Sequence, residues 1–390
     1  MHVILDLSRL LAAGWRGIAA GIDRVELAYA RHFAPQGCTF TGQSPWGFYG
    51  ELPRELALSL IGALLKNAPG EAKVFAGAAY TALAGSVGRA KLTRRIAATP
   101  GCVFLVVSHA GLHQAAPIAA LKAQGARFLP LLHDLIPITH PEFTTRKQIE
   151  RHPKRIETIL ALADGLLISS RATGAALAAL HPGRKLPPMH LARFGTDIAR
   201  IDTPPPPSPD SRPYFVTLGT IEPRKNHLLL LNLWRAMPPG PRLVIIGRRG
   251  WEAEAACRLL DRRKGFDGHV EEAGRLDDAR TAALLRGARA LLFPTFVEGY
   301  GIPLAEALTM GVPAICSDIP SLRELGDGVP DFLEPLDGPG WRDAILDHAR
   351  PDSPRRAAQL ARMPGWHAPS WSEHFAIVEG VVAGIAAQRA

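Results

Sequence analysis

The sequence predicts an α/β protein built from two Rossmann-like, doubly wound parallel-sheet domains. Three observations predict it. Short apolar strands alternate with amphipathic helical stretches along nearly the whole chain, the pattern of βα units that assemble into parallel sheets with helices on both faces. The alternation breaks once, at "IDTPPPPSPDSRP" (201–213), where proline and serine replace the apolar periodicity and four consecutive prolines stiffen the chain. At 390 residues the chain is long enough for a separate core on each side of that break.

The elements follow in order. In the first half "HVILDLS" (2–8), "VFLVVSH" (103–109), "RFLPLLHD" (127–134) and "GLLISS" (165–170) read as strands. Between them "IDRVELAYARHF" (22–33) and "HQAAPIAALKAQ" (113–124) carry helical periodicity. The second half restarts with "YFVTLGT" (214–220), "RLVIIG" (242–247), "HVEEAGRL" (269–276), "RALLFPTF" (289–296) and "VPAICSD" (312–318), each with a helical stretch behind it. The expected domains are 1–205 and 206–369, with a last helix within 370–390 that closes the second domain or crosses back to the first. In this architecture ligands bind in the crevice at the carboxyl ends of the strands.

Composition narrows the class. Hydrophobic residues make up 47% and charged residues 21%, the balance of a globular protein rather than a disordered chain. No run approaches the roughly 20 apolar residues of a membrane span. "MHVILDLSRLL" carries Asp6 within its apolar part and reads as a first strand, not a secretory signal. Cys38, Cys102, Cys257 and Cys316 form no CxxC pair and read as reduced core residues of a cytoplasmic protein. The formal charge is +9 and the pI about 9.7, which suits nucleic acid, an anionic membrane face or a phosphorylated substrate. Basic residues are nowhere interleaved with stacking aromatics, which argues against nucleic acid. "GSVGRAKLTRRI" (85–96) sets Arg89, Lys91, Arg94 and Arg95 on an amphipathic stretch, a solvated helix face or a contact for the inner membrane surface.

Two segments carry the chemistry. "FPTFVEGYGIPLAEALTMGVPAICSD" (293–318) is a strand, a turn through Gly299, Tyr300 and Gly301, and a helix opening at Ile302 with Pro303 in its first turn. Its helix N-terminus is a place to hold an anion, flanked by Glu298 and Glu306. "GTIEPRKN" (219–226) puts Arg224 and Lys225 between a strand ending at Gly219 and a helix that Asn226 is expected to cap. Cations at a helix start run against the helix dipole, so they ask for an anion; two of them with a second helix N-terminus make a diphosphate site. Carboxylates accept from paired hydroxyls, so Glu298 would face a sugar on one side of the diphosphate and Glu306 a ribose on the other. Among the histidines, His133 and His109 end strands, where each either lines the crevice or is a structural histidine, while His140 and His227 read as surface residues. No His, Cys, Asp or Glu grouping has metal-ligand spacing and no DxD occurs, so no metal or other cofactor is expected.

These residues carry a resemblance. "EGYGIPLAE", with glutamates eight positions apart, resembles the signature of glycosyltransferase family 4, the retaining GT-B glycosyltransferases; "LGTIEPRKN" and "AGRLDDARTAALLRGARALLFPT" resemble that family's other C-terminal blocks. "HDLIPITHPEF", "GIAAGIDRVELAYARHF", "RFGTDI" and "SWSEHF" resemble its N-terminal, interdomain and terminal-helix segments. The resemblance implies two domains facing across a cleft, and catalytic roles for His133, Glu298, Lys225 and Arg224. It also implies donor contacts from Gly21, Gly219, Arg224, Lys225, Arg275, Leu276, Glu298, Gly299, Tyr300, Gly301, Ile302 and Glu306. Thr220 departs from the family's usual arginine after the strand glycine, which leaves the phosphates to Arg224 and Lys225. "GWRGIAAG" is bulkier than the usual glycine loop.

The implied reaction moves a sugar from a nucleotide diphosphate sugar to a hydroxyl of a glycan or lipid-linked glycan, with retained configuration and without metal. "GTIEPRKN…IGRRGW" is similar to bacterial mannosyltransferases of exopolysaccharide or O-antigen synthesis, which favours GDP-mannose over UDP-sugars. The competing readings are a GT-B epimerase or phosphorylase, a non-catalytic nucleotide-sugar-binding protein, and a nicotinamide enzyme; the last needs G-x-G-x-x-G after the first strand, which is missing.

Overall fold

The computed structural model describes residues 2–17, 19, 21–198, 204, 212–262, 266 and 268–388. The chain divides into two compact units, Met1–Phe194 with Trp371–Ala390, and Gly195–Ser370. The 205/206 boundary expected within the proline run lies outside the described residues.

The first unit holds a seven-stranded sheet of β1 (Val3–Asp6), β2 (Thr39–Gln43), β3 (Tyr49–Glu51), β4 (Val103–Val106), β5 (Arg127–Leu132), β6 (Leu166–Ile168) and β7 (Met189–Leu191), in the order β3-β2-β1-β4-β5-β6-β7. All pairs are parallel except β2–β3. The antiparallel β3 and the strands β2 and β7 go beyond the sequence reading: "TFTGQ", "YGE" and "MHL" are short and lack an apolar run. The core gathers Ile4, Phe104, Phe128, Leu132, Ile156 and Leu166. The helix Trp371–Ala387 completes this unit. Its buried His374 donates from Nδ1 to the Arg193 carbonyl (3.1 Å) and accepts the Tyr29 hydroxyl at Nε2 (2.8 Å), while Phe375 stacks on His32.

The second unit holds a parallel six-stranded sheet of β8 (Tyr214–Leu218), β9 (Arg242–Ile246), β10 (Val270–Gly274), β11 (Leu291–Phe293), β12 (Ala314–Ser317) and β13 (Asp331–Leu333). The order β10-β9-β8-β11-β12-β13 is the doubly wound one, with its reversal between β8 and β11. Phe215, Leu231, Trp234, Ile245, Leu292 and Trp341 form its core. Gln359, fully buried, accepts the Ala314 N–H and donates to the Ala314 carbonyl (3.0 Å), tying a later helix to β12.

The basic stretch 85–96 is the helix Ser86–Ala98, with Gly88, Leu92 and Ile96 buried. Arg95 pairs with Glu51 (2.8 Å) and Arg89 lies over the Phe48 ring (5.3 Å), so half of its cations serve the first unit's own structure. Cys38, Cys102 and Cys316 are buried, Cys257 is half-buried, and all four are free thiols.

Candidate active site

In the second unit the site forms where the sheet order reverses. β8 is followed by Gly219, whose φ of 146° lies where side chains are strained; a Cβ there would meet Lys225 Cε at 3.3 Å. Pro223–Lys225 forms a single tight turn, and Asn226 follows in the left-handed conformation that asparagine tolerates. Asn226 is therefore not the side-chain cap expected from the sequence: its amide instead donates to the Pro335 carbonyl (2.9 Å) and pins the turn from behind. The segment after β11 clips on from the other side, through Phe296 N–H to the Arg224 carbonyl (2.9 Å) and Arg224 Nη1 to the Val297 carbonyl (2.9 Å).

This clip brings Arg224, Lys225 and Glu298 together. Glu298 Oε1 accepts from Lys225 Nζ and from Arg224 Nη1 (2.6 Å), with the Thr295 hydroxyl at 3.2 Å. The far side of the Arg224 fork binds Glu222 Oε1 (2.7 Å). Lys225 Nζ lies 4.6 Å from the centre of the Phe293 ring. Ser321 Oγ donates to the Glu298 carbonyl (2.8 Å), fixing the backbone below the carboxylate. Burial alone pushes the Glu298 carboxyl up, but Arg224 and Lys225 outweigh it and hold the pKa below the ordinary value. Burial lowers the Lys225 pKa against the pull of Glu298. The cations thus find an anion inside the protein: two acids balance two bases.

Gly299, Tyr300 and Gly301 form the turn behind Glu298, and the helix Ile302–Thr309 begins its ladder with Leu304 N–H to the Gly301 carbonyl (2.9 Å). Gly301 needs its glycine twice over: φ is 101°, and a Cβ would meet Leu322 Cδ2 at 2.5 Å. Glu306 lies in this helix and is 3% exposed, so it is not a solvated helix residue. Arg275 is exposed beyond β10 and Leu276 half-buried; β9 separates that strand from β8. Glu222, Thr295 and Ser321 were not singled out in the sequence. Glu222 had a readable signal, an acid two residues before Arg224.

His227 is a correction. It is 2% exposed rather than on the surface, because it shares the inner face of the helix His227–Ala236 with Leu230, Leu231 and Trp234. Among the described residues neither ring nitrogen has a hydrogen-bond partner, and burial, with Lys225 beside it, brings its pKa to about 4.

The first unit places Gly21 at the start of the helix Ile22–Phe33 and His133 just beyond β5. His133 is buried; Nε2 donates to the Val107 carbonyl (2.7 Å), which leaves Nδ1 as acceptor. His109 Nε2 accepts the His133 backbone N–H (3.4 Å), and the His109 ring lies 5.2 Å from His133 and 5.0 Å from His152. His152, on the helix Arg146–Leu162, donates from Nε2 to the Asp134 carbonyl (3.1 Å) and accepts from Arg155 at Nδ1 (3.3 Å). Burial brings His133 and His152 to about 4 and holds His109 well below its ordinary value, so the cluster is neutral.

These depressed histidines, with His374 also at about 4, set an acid sensitivity. An unfolded histidine binds its proton near pH 6.5, before the folded one, so their contribution is complete above that pH and falls away toward pH 4. Asp6, which burial raises to about 7, and its neighbour Glu26 act in the opposite sense. The histidine part is therefore read by difference. His227→Leu, which removes two unpartnered nitrogens, is expected to gain melting temperature over the parent as pH falls from 7.5 to 5. A constant difference across that range would refute it.

The comparisons with known proteins agree with this architecture. The family described as "Glycosyl transferases group 1" matches residues 200–328, the segment that contains the whole Arg224–Lys225–Glu298 cluster. The chain is 34% identical over 149 residues to O-antigen chain mannosyltransferase B of Escherichia coli, covering 37% of this chain and 39% of that protein. It is 28% identical over 229 residues to the serotype-specific mannosyltransferase WbdA of Escherichia coli, covering 53% of this chain and 28% of that protein. With a phosphatidyl-myo-inositol mannosyltransferase of Mycolicibacterium smegmatis it shares 33% over 149 residues, 36% of each chain. The chain thus spans less than half the length of these curated relatives. Among solved structures, sucrose-phosphate synthase from Thermosynechococcus elongatus superposes with a TM-score of 0.67 over 100% of both chains at 17% identity. Anabaena HepE in complex with UDP and glucose gives 0.62 over 100% of both chains at 13%.

The fold is that of the GT-B glycosyltransferases. Residues 200–328 match the family described as glycosyl transferases group 1, and the three relatives named above are mannosyltransferases.

Proposed function

We propose that the protein is a retaining glycosyltransferase of family 4. It moves a hexosyl group, mannosyl by preference, from a nucleotide diphosphate sugar to a hydroxyl of a glycan or lipid-linked glycan in bacterial polysaccharide synthesis. The observation that carries the reading is the Arg224–Lys225–Glu298 cluster at the sheet reversal inside the matched domain. Cations held in a buried turn stabilise the charge that grows on a leaving diphosphate without reorganising. Glu298 orients both cations before the donor arrives, then accepts from hydroxyls of the transferred sugar. Glu306 takes the ribose hydroxyls, and the helix opening at Ile302 faces the phosphates. His133, neutral with a free acceptor nitrogen, orients the reacting sugar. The donor's own phosphate oxygen serves as base for the acceptor hydroxyl.

GDP-mannose is the favoured donor, on the strength of the mannosyltransferase relatives; UDP-sugars are the comparison set. No helix among the described residues is long and apolar enough to cross a membrane. Contact with an anionic inner membrane face is part of the proposal, on the ground of the +9 charge.

The test is a panel of nucleotide sugars, screened by thermal shift and then assayed for product with a lipid extract and with defined glycans. Transfer from GDP-mannose with retained configuration is expected. Binding without turnover would make the protein a binder, and release of free sugar nucleotide or sugar phosphate without acceptor an epimerase or phosphorylase. Activity is also expected to survive EDTA, because the sequence has no DxD and Arg224 and Lys225 supply the positive charge. A requirement for manganese would contradict that role.

A further inference from the structure

The cluster at the sheet reversal is balanced within itself. Arg224 and Lys225 meet Glu298 and Glu222, so a diphosphate arriving there, with charges of its own, would meet no net positive charge. A cation close by has to tip that balance, and the strand beside β8 carries one. Arg248 and Arg249, in "IGRRGW" (246–251), follow the end of β9 at the carboxyl end of the sheet, the side on which ligands bind.

The two arginines differ in what holds them. The Arg249 guanidinium is taken by Glu272 (2.7 Å) and Asp261 (2.7 Å). Arg248 is exposed, and among the described residues its side chain has neither a hydrogen bond nor an ion pair. Its backbone, by contrast, is fixed on the turn that opens the cluster. The Arg248 carbonyl accepts the Ile221 N–H (2.9 Å), and the Gly250 N–H returns to the Ile221 carbonyl (2.9 Å). The glycines on either side permit this close approach: a Cβ on Gly247 would meet the Gly219 carbonyl oxygen at 1.9 Å, and one on Gly250 would meet Thr220 Cγ2 at 2.5 Å.

Register decides where the side chain starts. The pairing of Leu218 with Ile246 continues to a bridge between Ile221 and Arg249, so Arg248 lies beside Thr220. Alternation puts Thr220 on the sheet face of Leu218 and Val216, and Val216 pairs with Leu291, which shares its face with Phe293. Lys225 Nζ lies over that Phe293 ring. Arg248 therefore leaves the sheet on the same face as Lys225, one strand to the side, with a long arm and no partner.

We propose that Arg248 is a ligand of the donor's diphosphate, the cation that gives the cradle its net positive charge. The fork of Arg248 suits two phosphate oxygens at once, and the clamped backbone keeps its base in place. Naming the anion as the diphosphate of a nucleotide sugar rests on the sugar-transfer reading; the anion contact itself does not. Because the arm is solvated, its contact changes little between bound donor and transition state, so its loss falls on KM rather than kcat.

The test compares the parent, Arg248→Gln, Arg248→Lys and Arg249→Gln by calorimetry with inorganic pyrophosphate and with GDP and UDP, with a melt for each. Arg248→Gln is expected to weaken pyrophosphate and the nucleoside diphosphate alike, by about fivefold to tenfold, a charge-assisted contact discounted for exposure. Arg248→Lys is expected to recover part of the loss, and Arg249→Gln, whose charge is already engaged, to bind as the parent does. In the sugar-transfer assay Arg248→Gln is expected to raise donor KM by a similar factor with kcat near the parent value. Equal pyrophosphate affinity in the parent and Arg248→Gln overturns the proposal. So does an equal loss in Arg249→Gln, which would make the effect one of general charge. A loss for the nucleoside diphosphate without a loss for pyrophosphate moves Arg248 to the nucleoside and overturns it too. A parent that binds pyrophosphate but neither nucleotide sinks the donor reading instead, and the Arg248 contact is then judged on pyrophosphate alone.

Discussion

Lys225→Ala is expected to lower kcat by about 10²–10³-fold, the range for losing one preorganised charge stabiliser. Lys225 Nζ is held between the Phe293 ring and Glu298 in a turn fixed by Pro223, Asn226 and the Phe296–Arg224 backbone bond. Little reorganisation remains to be done when charge develops on the leaving diphosphate, so the effect falls on the transition state. KM for the donor is expected to change less than kcat. Lys225→Arg is expected to recover little, since a planar fork does not occupy the position of a compact ammonium. Steady-state kinetics with a melt for each variant check this. Wild-type kcat in a folded Lys225→Ala protein would remove Lys225 from the chemistry.

Glu298 and Glu306 are expected to part in opposite directions. Glu298→Gln removes the carboxylate that neutralises both cations, so nucleoside diphosphate should bind more tightly, by up to about tenfold, about 1.4 kcal/mol. The same variant should lose about 10²-fold in kcat, because the transferred sugar loses its charged acceptor. Glu306→Gln is expected to raise KM for the donor by about 10-fold, the cost of one charge-assisted hydrogen bond to ribose, with kcat near the parent value. Calorimetry with nucleoside diphosphate and kinetics on the same preparations decide the matter. Weaker nucleotide binding in Glu298→Gln with unchanged binding in Glu306→Gln would reverse the two assignments.

Much of the fold was legible because βα units advertise themselves locally. "VILD", "VFLV", "RLVII" and "AICS" are apolar and β-branched, buried on both faces, and each appears as a parallel strand. The strands that escaped, "TFTGQ", "YGE", "MHL" and "DFL", are short and mixed, and they exist because a neighbouring strand supplies the ladder. At the site the residue types were legible and their pairing was not. Basic residues at a helix start asked for an anion, and that physical argument holds; the anion present is Glu298.

By itself, then, the sequence determined the element types, the glycine turns at Gly219 and Gly301, and the cations and acids available at the strand ends. Periodicity and backbone sterics act over a few residues, so a linear reading recovers them. The tertiary structure alone decided which charges meet. Lys225 and Glu298 are 73 residues apart and become neighbours only because the crossover sets β11 beside β8. It also decided which histidines leave water: His227 turned inward with Leu230 and Trp234, and its titration follows from burial that only the assembled core creates. Charge pairing and desolvation depend on distance through space and on exclusion of water, and both come into being when the sheets close.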